Sequence, residues 1–597
     1  MISVIATQAA RFRTFGWVQD PSNLRSLCDV VAVFDENSEK HRELALSSIP
    51  KLVSEEDGRS RLLEALSTRP VRIRYPDLVG TAFTPRSASR CNGILQAAVR
   101  GQGRDFIGDW PADNFLRWAH AFGFVRYHYG DDSFEITPAG LELTKARQDG
   151  GALCGREREL LTEAALAYPP AVRILNLLAR DGAHLTKFEI GQKLGFVGEN
   201  GFTSLPQPVL IRSLAGTESP KEKNRMKTDW DGSSDKYARM IASWLTKLGL
   251  VEQAPKQVTV TAGGRTYTET IGQAYLITAR GITMRNRALG KSRHRRIAKN
   301  VCFEMLATKG ADREYLRARR AFLLKFLSES RSGLTIRGLM EKLAEKGLSE
   351  NAETVRDDLA GLRGIGLAVG EKNGRYLLTD KIADFVIPLP ASLQKSSLSG
   401  MKDQIRARLT ALPHEYLSLI DLAYDSEQNR LFEMKIIELF TEECGFSGRH
   451  LGGSNKPDGV ISAADLSYGI IVDTKAYSKG YGLPISQADE MERYVRENLT
   501  RDSRINPNEW WLAFDGAVPR FAFLFVSGHF TGTYGQRIER IIRSTGVPGA
   551  ALEISKLLLY ADALKSGRIS QRDFYRLVFP PQPESEGLRR CPKPRKL

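Results

Sequence analysis

Two aspartates and a lysine carry the strongest chemical signal in this 597-residue sequence. Asp458 lies in the run HLGGSNKPDGV from His450 to Val460, and Asp473 and Lys475 lie in YGIIVDTKAY from Tyr468 to Tyr477. Asp458 precedes Gly459-Val460-Ile461, a predicted strand start, and Asp473 ends the apolar run Gly469 to Val472, a predicted buried strand. Joined by the polar connection Ala463 to Ser467, the two strands bring both carboxylates to one end of a small sheet. Alternate strand residues share a face, so Asp473 and Lys475 point the same way and Thr474 points back. Hard carboxylate oxygens suit Mg²⁺, and an ammonium beside them can orient an attacking water or offset charge on a pentavalent phosphate. That chemistry is phosphodiester hydrolysis. A Pro-Asp turn with a surface Asp–Lys pair fits the motif alone equally well. The apolar strand before Asp473, the approach Leu451-Gly452-Gly453 and the upstream sequence favour the nuclease. Glu433, on an amphipathic helix predicted over Asn429 to Phe440, could add a ligand but fits a solvated helix residue better.

A chain of this length holds several domains. Its 86 Lys and Arg outnumber 70 Asp and Glu, a net charge of +16 that favours a polyanionic partner. No apolar run reaches membrane-spanning length and the N-terminus lacks a signal-peptide core, which points to the cytoplasm with no membrane partner. Six cysteines are scattered without a CxxC, excluding a zinc site or disulfide framework on spacing grounds. The histidines are equally dispersed, leaving Mg²⁺ on carboxylates as the metal site the sequence supports.

The elements that must position this centre follow a pattern that occurs three times. The first copy has a helix with Phe115, Trp118 and Phe122, then Gly123-Phe124-Val125, a turn at Gly130-Asp131-Asp132, the strand Phe134-Glu135-Ile136 and a stop at Thr137-Pro138-Ala139-Gly140. The second has Ile241, Trp244 and Leu248, then Gly249-Leu250-Val251, a longer excursion and Tyr275-Leu276-Ile277. The third has Val355, Leu359 and Leu362, then Gly366 to Val369, the turn Lys372-Asn373-Gly374 and Arg375 to Thr379. Helix, glycine and two-stranded wing describe a winged helix-turn-helix; three unrelated helix-hairpin units are the alternative.

In the second copy Ser233 and Ser234 are candidate caps, and Lys236, Arg239 and Ser243 occupy the outer face, a cationic surface suited to the major groove. The third helix instead carries Glu353, Asp357 and Asp358 around Arg356, which phosphate would repel, so this domain is expected to contact protein. The acid-free basic run Arg285 to Lys299 either tracks a DNA backbone or is a solvated linker. The expected organisation is a recognition domain over 1–150, a second over 151–290, a third over 291–387, a linker at 388–397, a nuclease domain over 398–580 and a disordered basic tail at 581–597. The fold class is therefore multidomain: tandem winged helix-turn-helix DNA-recognition domains, mainly α with small β wings, followed by an α/β PD-(D/E)xK nuclease domain with a mixed central sheet.

Longer segments carry a family resemblance: RTFGWVQ (Arg13–Gln19), FLRWAHAFGF (Phe115–Phe124), GFTSLP (Gly201–Pro206), GSSDKYARM (Gly232–Met240), QADEMERYV (Gln487–Val495), INPNEWW (Ile505–Trp511) and FLFVSGHF (Phe523–Phe530), together with the two aspartate motifs. With these the chain resembles the FokI-like type IIS restriction endonucleases over nearly its whole length. The resemblance implies recognition of a short asymmetric duplex DNA sequence, GGATG as the first expectation, and Mg²⁺-dependent cutting at a fixed distance outside it. It implies catalytic roles for Asp458, Asp473 and Lys475, with the two aspartates holding the metal. The helix with Asp489 and Arg493, an i,i+4 pair on spacing alone, would join a second copy of the nuclease domain during cutting, and the third domain would hold that domain beforehand. A cognate DNA methyltransferase in a bacterial host is the implied functional partner. Gln19, Arg86, Gln102 and Trp110 match DNA-contacting positions in the first domain, as do Lys236 and Arg239 in the second; Asp20, Trp230 and Asp231 complete the set. The sequence departs from the pattern with Asp20, Thr228 and Asp229 in place of asparagines and Asp231 in place of a glutamate. An amide donates and accepts toward adenine whereas a carboxylate only accepts, so these departures bear on which bases are read. A DNA-binding regulator with an inert nuclease-like domain is the alternative in another class, and a nuclease that reads DNA structure is a third.

Overall fold

The computed structural model describes residues 2–7, 13–81, 90–147, 152–262, 264–291, 294–514 and 518–580. Arg86, the tail at 581–597 and part of the basic run lie outside the described residues. Contacts divide the chain into two compact units: one of residues 1–207, 214–259 and 268–407, the other of 208–213, 260–267 and 408–597.

In the first unit the threefold pattern is present as helix and hairpin. Helices Asp109–Ala121, Ser233–Lys247 and Ala352–Gly364 each run into a short strand, Val125–His128, Val251–Gln253 and Val369–Lys372. In the first and third copies that strand pairs antiparallel with Ser133–Ile136 and Arg375–Leu378; in the second it pairs with Ala274–Ile277 after an intervening hairpin of Lys256–Ala262 and Arg265–Ile271. Each helix ends in the same way, because Gly123, Gly249 and Gly366 take positive φ and let the next amide reach back. Phe124, Leu250 and Leu367 donate to the carbonyls of Ala119, Leu245 and Leu362 at 3.0, 2.9 and 3.1 Å. Thr137 is a helix start, where a stop was expected: its hydroxyl accepts the Gly140 amide at 3.2 Å and opens Pro138–Lys145. Threonine at the cap with proline at the first helical position is the physical reason.

The buried stripes of the first two helices meet each other. Trp118 and Trp244 stack at 4.4 Å and 8°, with Phe122 edge-on to Trp244 at 5.5 Å. The Trp244 indole N–H donates to the Pro21 carbonyl at 3.0 Å and the Lys247 ammonium to the Ser22 carbonyl at 2.6 Å, so the segment that follows Gln19 is seated on the second helix. Neither Ser233 nor Ser234 caps that helix. Gly232 is the cap residue, and Asp235 takes the Gly232 amide at 2.8 Å, the Leu205 amide at 2.8 Å and the Ser204 hydroxyl at 2.5 Å.

The acidic face expected on the third helix is internal only at Asp358; Glu353 stays partly exposed beside Arg356. Asp358 is buried between Arg319 (2.6 Å) and Arg320 (2.7 Å), and Asp357 pairs with Arg406 at 2.7 Å. Burial alone would raise the Asp358 carboxyl, yet the two guanidinium groups hold it below its ordinary value. The segment expected to link the domains is also ordered at its start: Phe385–Leu389 pairs in parallel with Ile2–Ala6, with Phe385 and Ile387 buried. Proline is tolerated at position 388 because the strand lies at a sheet edge. Helix Ser397–Arg406 groups with the first unit, so the contact boundary follows Ala407.

The second unit is built on a mixed five-stranded sheet, in the order Ser447–His450, Gly459–Ser462, Gly469–Lys475, Phe521–Ser527, Gly549–Glu553. The first two pairings are antiparallel and the last two parallel. On one face Val460, Ile471, Phe523 and Phe525 pack with Met491, Tyr494 and Trp510. Helix Asn429–Glu438 packs against the first three strands, and Gly459 permits its close approach: a Cβ there would stand 2.5 Å from Ile437 Cδ1. Among the described residues no helix is long and apolar enough to cross a membrane.

Candidate active site and DNA-contacting residues

Strand register brings the catalytic candidates together. Gly459 pairs with Val472 in an antiparallel ladder, so one step further out Asp458 comes opposite Asp473 at the end of the sheet. Asp458 Oδ2 accepts the Thr474 amide at 2.7 Å and its hydroxyl at 3.1 Å, which fixes the rotamer. Thr474, expected only to point away, is therefore the residue that holds Asp458. Lys475 Nζ pairs with Asp473 Oδ2 at 2.8 Å.

The electrostatics follow from two near-buried carboxylates sharing one ammonium. Burial, and then the charges of Asp473 and Glu433, push Asp458 well above the ordinary carboxylate range. Burial also raises Asp473, although Lys475 beside it works the other way. Burial would lower Lys475, but the two aspartates hold it protonated. The centre thus carries an excess of negative potential that a cation would relieve.

Glu433 belongs to this centre more closely than its helix pattern suggested. Its Oε2 lies 3.0 Å from Nε2 of His450, whose side chain is buried, and its charge is felt at Asp458. Sequence reasoning gave His450 no role; its place at the start of the HLGG run was the available signal. Among the described residues no group of three His, Cys, Asp or Glu side chains is disposed as a metal cage. The oxygen donors Asp458 and Asp473 nonetheless fit Mg²⁺, which keeps several waters and is bound through one or two carboxylates plus substrate phosphate.

The sequence-derived DNA candidates divide by exposure. Asp20, Gln102 and Trp110 are exposed, Trp110 at 50%, at the start of helix Asp109–Ala121 with Arg117 5.5 Å from its ring. Gln19, Trp230, Lys236 and Arg239 are half-buried. Asp231 is turned inward instead of outward toward a ligand: its side chain is 2% exposed, 2.7 Å from the fully buried Lys187 and 3.1 Å from Arg239. Lys187 is 44 positions earlier in the numbering, beyond the reach of any local pattern.

Asp489 and Arg493 lie on helix Ile485–Thr500 but do not pair with each other. Asp489 pairs with Arg540, and Arg493 is shared by Glu490 (3.5 Å), Glu497 (3.7 Å) and Asn455 (3.3 Å). Both line an open groove with Arg496, Thr500 and the exposed Ile505.

Comparison with known proteins matches four family descriptions in chain order. These are the FokI recognition domain, subdomain 1, over residues 13–146; subdomain 2 over 157–293; the FokI D3 domain over 306–374; and the FokI cleavage domain over 395–581. The type II restriction enzyme FokI of Planomicrobium okeanokoites is 45% identical over 575 residues, covering 95% of this chain and 98% of its own length. The type II restriction enzyme StsI of Streptococcus sanguinis is 34% identical over 579 residues, covering 95% of each. Among solved structures, restriction endonuclease FokI superimposes with a TM-score of 0.87 and the same enzyme bound to DNA with 0.89, each at 44% identity over 95% of this chain and 98% of the other.

Proposed function

Since the chain belongs to the FokI family of type II restriction enzymes, we propose that it reads a short asymmetric duplex DNA sequence with tandem winged-helix domains and cuts both strands at a fixed distance away. The observation that carries this reading is the convergence of Asp458, Asp473 and Lys475 at one end of the mixed sheet. That arrangement supports assignment of the second unit as an α/β PD-(D/E)xK nuclease.

The reaction is hydrolysis of a phosphodiester. Mg²⁺ held by Asp458 and Asp473 would supply Lewis-acid stabilisation of the charge that builds on phosphate. Thr474 fixes the Asp458 carboxylate, one of the two groups that would hold the metal, through two hydrogen bonds. Lys475, kept protonated by the aspartates, orients the attacking water and offsets charge on the phosphate oxygens. Glu433, held by His450, adds a further carboxylate at the edge of the site.

One such centre cuts one strand, so a double-strand break calls for a second copy. The groove around Asp489 and Arg493 supports helix Ile485–Thr500 as the surface of that transient dimer. Recognition would rest on Gln19, Asp20, Gln102 and Trp110 in the first domain and Trp230, Lys236 and Arg239 in the second; Arg86, outside the described residues, completes the proposed set. GGATG is the first expectation for the site, with Asp20, Thr228, Asp229 and Asp231 the positions where this chain departs from the pattern. A cognate methyltransferase would protect the host genome.

Digestion of a randomised DNA library with purified protein and Mg²⁺, followed by sequencing of ends and flanks, tests the proposal. Ends at a constant offset from one motif are expected. Specific binding with intact DNA would favour an inert DNA-binding regulator instead.

A further inference from the structure

Asp231 was expected among the base-contacting residues, but its carboxylate is turned inward onto Lys187 and Arg239. The carboxylate is 2% exposed, with one oxygen 2.7 Å from the Lys187 ammonium and the other 3.1 Å from Nη1 of Arg239. Lys187 is itself fixed, donating to the Lys227 carbonyl at 2.9 Å just ahead of the segment that leads to Asp231. The helix bearing Arg239 is equally constrained, because Asp235 ties its first turn to Ser204, Leu205 and Gly232. Arg239 remains 28% exposed. One edge of its guanidinium is thus anchored to an immobile buried carboxylate while the side chain still reaches solvent.

A free arginine on a helix surface samples many rotamers and loses that freedom on binding. An arginine gripped at Nη1 has its orientation set in advance, and its remaining N–H groups form a fork matched to two adjacent acceptors. Guanine O6 and N7 are such a pair in the major groove. We propose that Asp231, backed by Lys187, is a positioning residue that aims Arg239 at a guanine and does not itself touch DNA. The inference rests on the DNA-reading role of the second domain proposed above.

The test uses full-length protein on the randomised library, scored as base preference at each position of the recovered motif. Arg239→Ala identifies the base pair that depends on Arg239, and Arg239→Lys, which keeps the charge but loses the fork, should fail at the same position. Asp231→Asn leaves Lys187 an oxygen partner and should cut guanine preference there about ten-fold while sparing the other positions. The double variant Asp231→Asn/Arg239→Ala should be no worse than Arg239→Ala alone, because the first change acts only through the second. A preference change at a different base pair, with effects that add, would mean that Asp231 reads a base directly and overturn the proposal. Uniform loss at every position with a lowered Tm would reduce Asp231 to a structural role and overturn it too. If Arg239→Ala alters no position, the underlying DNA-reading assignment of Arg239 fails, a result distinct from failure of Asp231 to act through it.

Discussion

Asp458→Asn should stabilise the metal-free protein while abolishing cutting. Asn is nearly isosteric, and its carbonyl can still accept from the Thr474 amide and hydroxyl, now 2.7 and 3.1 Å from Oδ2. What disappears is one of two carboxylates that share Lys475. Two like charges in near contact at an effective dielectric of about 20 repel by about 4 kcal/mol. Lys475 and partial protonation offset part of this, leaving an expected gain of about 1–3 kcal/mol in EDTA at pH 8. For a domain of this size that raises the nuclease transition by roughly 2–10 °C. The sign with pH follows from the raised Asp458 carboxyl. A carboxyl raised in the folded state binds its proton more tightly there than in the unfolded chain. The wild type therefore recovers stability as pH falls from that raised value toward the ordinary carboxylate range, and the advantage of the variant shrinks over that window. Adding Mg²⁺ should reverse the order, because only the wild type keeps both carboxylates proposed to hold it. Calorimetry of both proteins from pH 8 to pH 5, with and without Mg²⁺, measures the difference. A variant less stable than wild type in EDTA at pH 8 would refute the reasoning that the pair is electrostatically strained without metal.

Other expectations are more direct. Glu433→Gln, which keeps a hydrogen-bond acceptor toward His450 but removes charge, should raise the Mg²⁺ concentration needed for half-maximal single-turnover cleavage by about 10- to 100-fold; an unchanged titration would return Glu433 to an ordinary helix residue. Arg493→Asp places a carboxylate between Glu490 and Glu497 and should slow conversion of a one-site plasmid to the linear form while nicking persists. Equal linearisation would exclude that helix as the dimer surface. Trp244→Ala removes a fully packed indole and its bond to Pro21, and should cost about 3–5 kcal/mol in the recognition body's denaturant transition.

What could be read from the sequence was local. The strand that carries Asp473 and the one starting after Asp458, the glycines at 123, 249 and 366, and the helix–hairpin repeats all rest on short-range periodicity and backbone geometry. Partners distant in sequence were not legible. Nothing near Asp231 announces Lys187, and nothing near Asp358 announces Arg319 and Arg320, so both acids looked like surface groups and both are buried in ion pairs. Glu433 was obscured for a different reason: Leu431, Phe432, Met434, Lys435, Ile436 and Ile437 around it are all buried, leaving periodicity no clear solvent face to identify. Thr137 was a local signal assigned the wrong sense, since a threonine before proline both ends a strand and begins a helix.

The parallel pairing of Ile2–Ala6 with Phe385–Leu389 has a consequence for biosynthesis. The early strand must wait on the ribosome until its partner is made, roughly tens of seconds at bacterial elongation rates. Both strands precede Asp458 and Asp473, the proposed catalytic aspartates, in the order of the chain. On the proposed assignment, a nascent polypeptide interrupted before residue 458 would lack both carboxylates needed for cutting, and one carried past it would already hold every residue of the two paired strands.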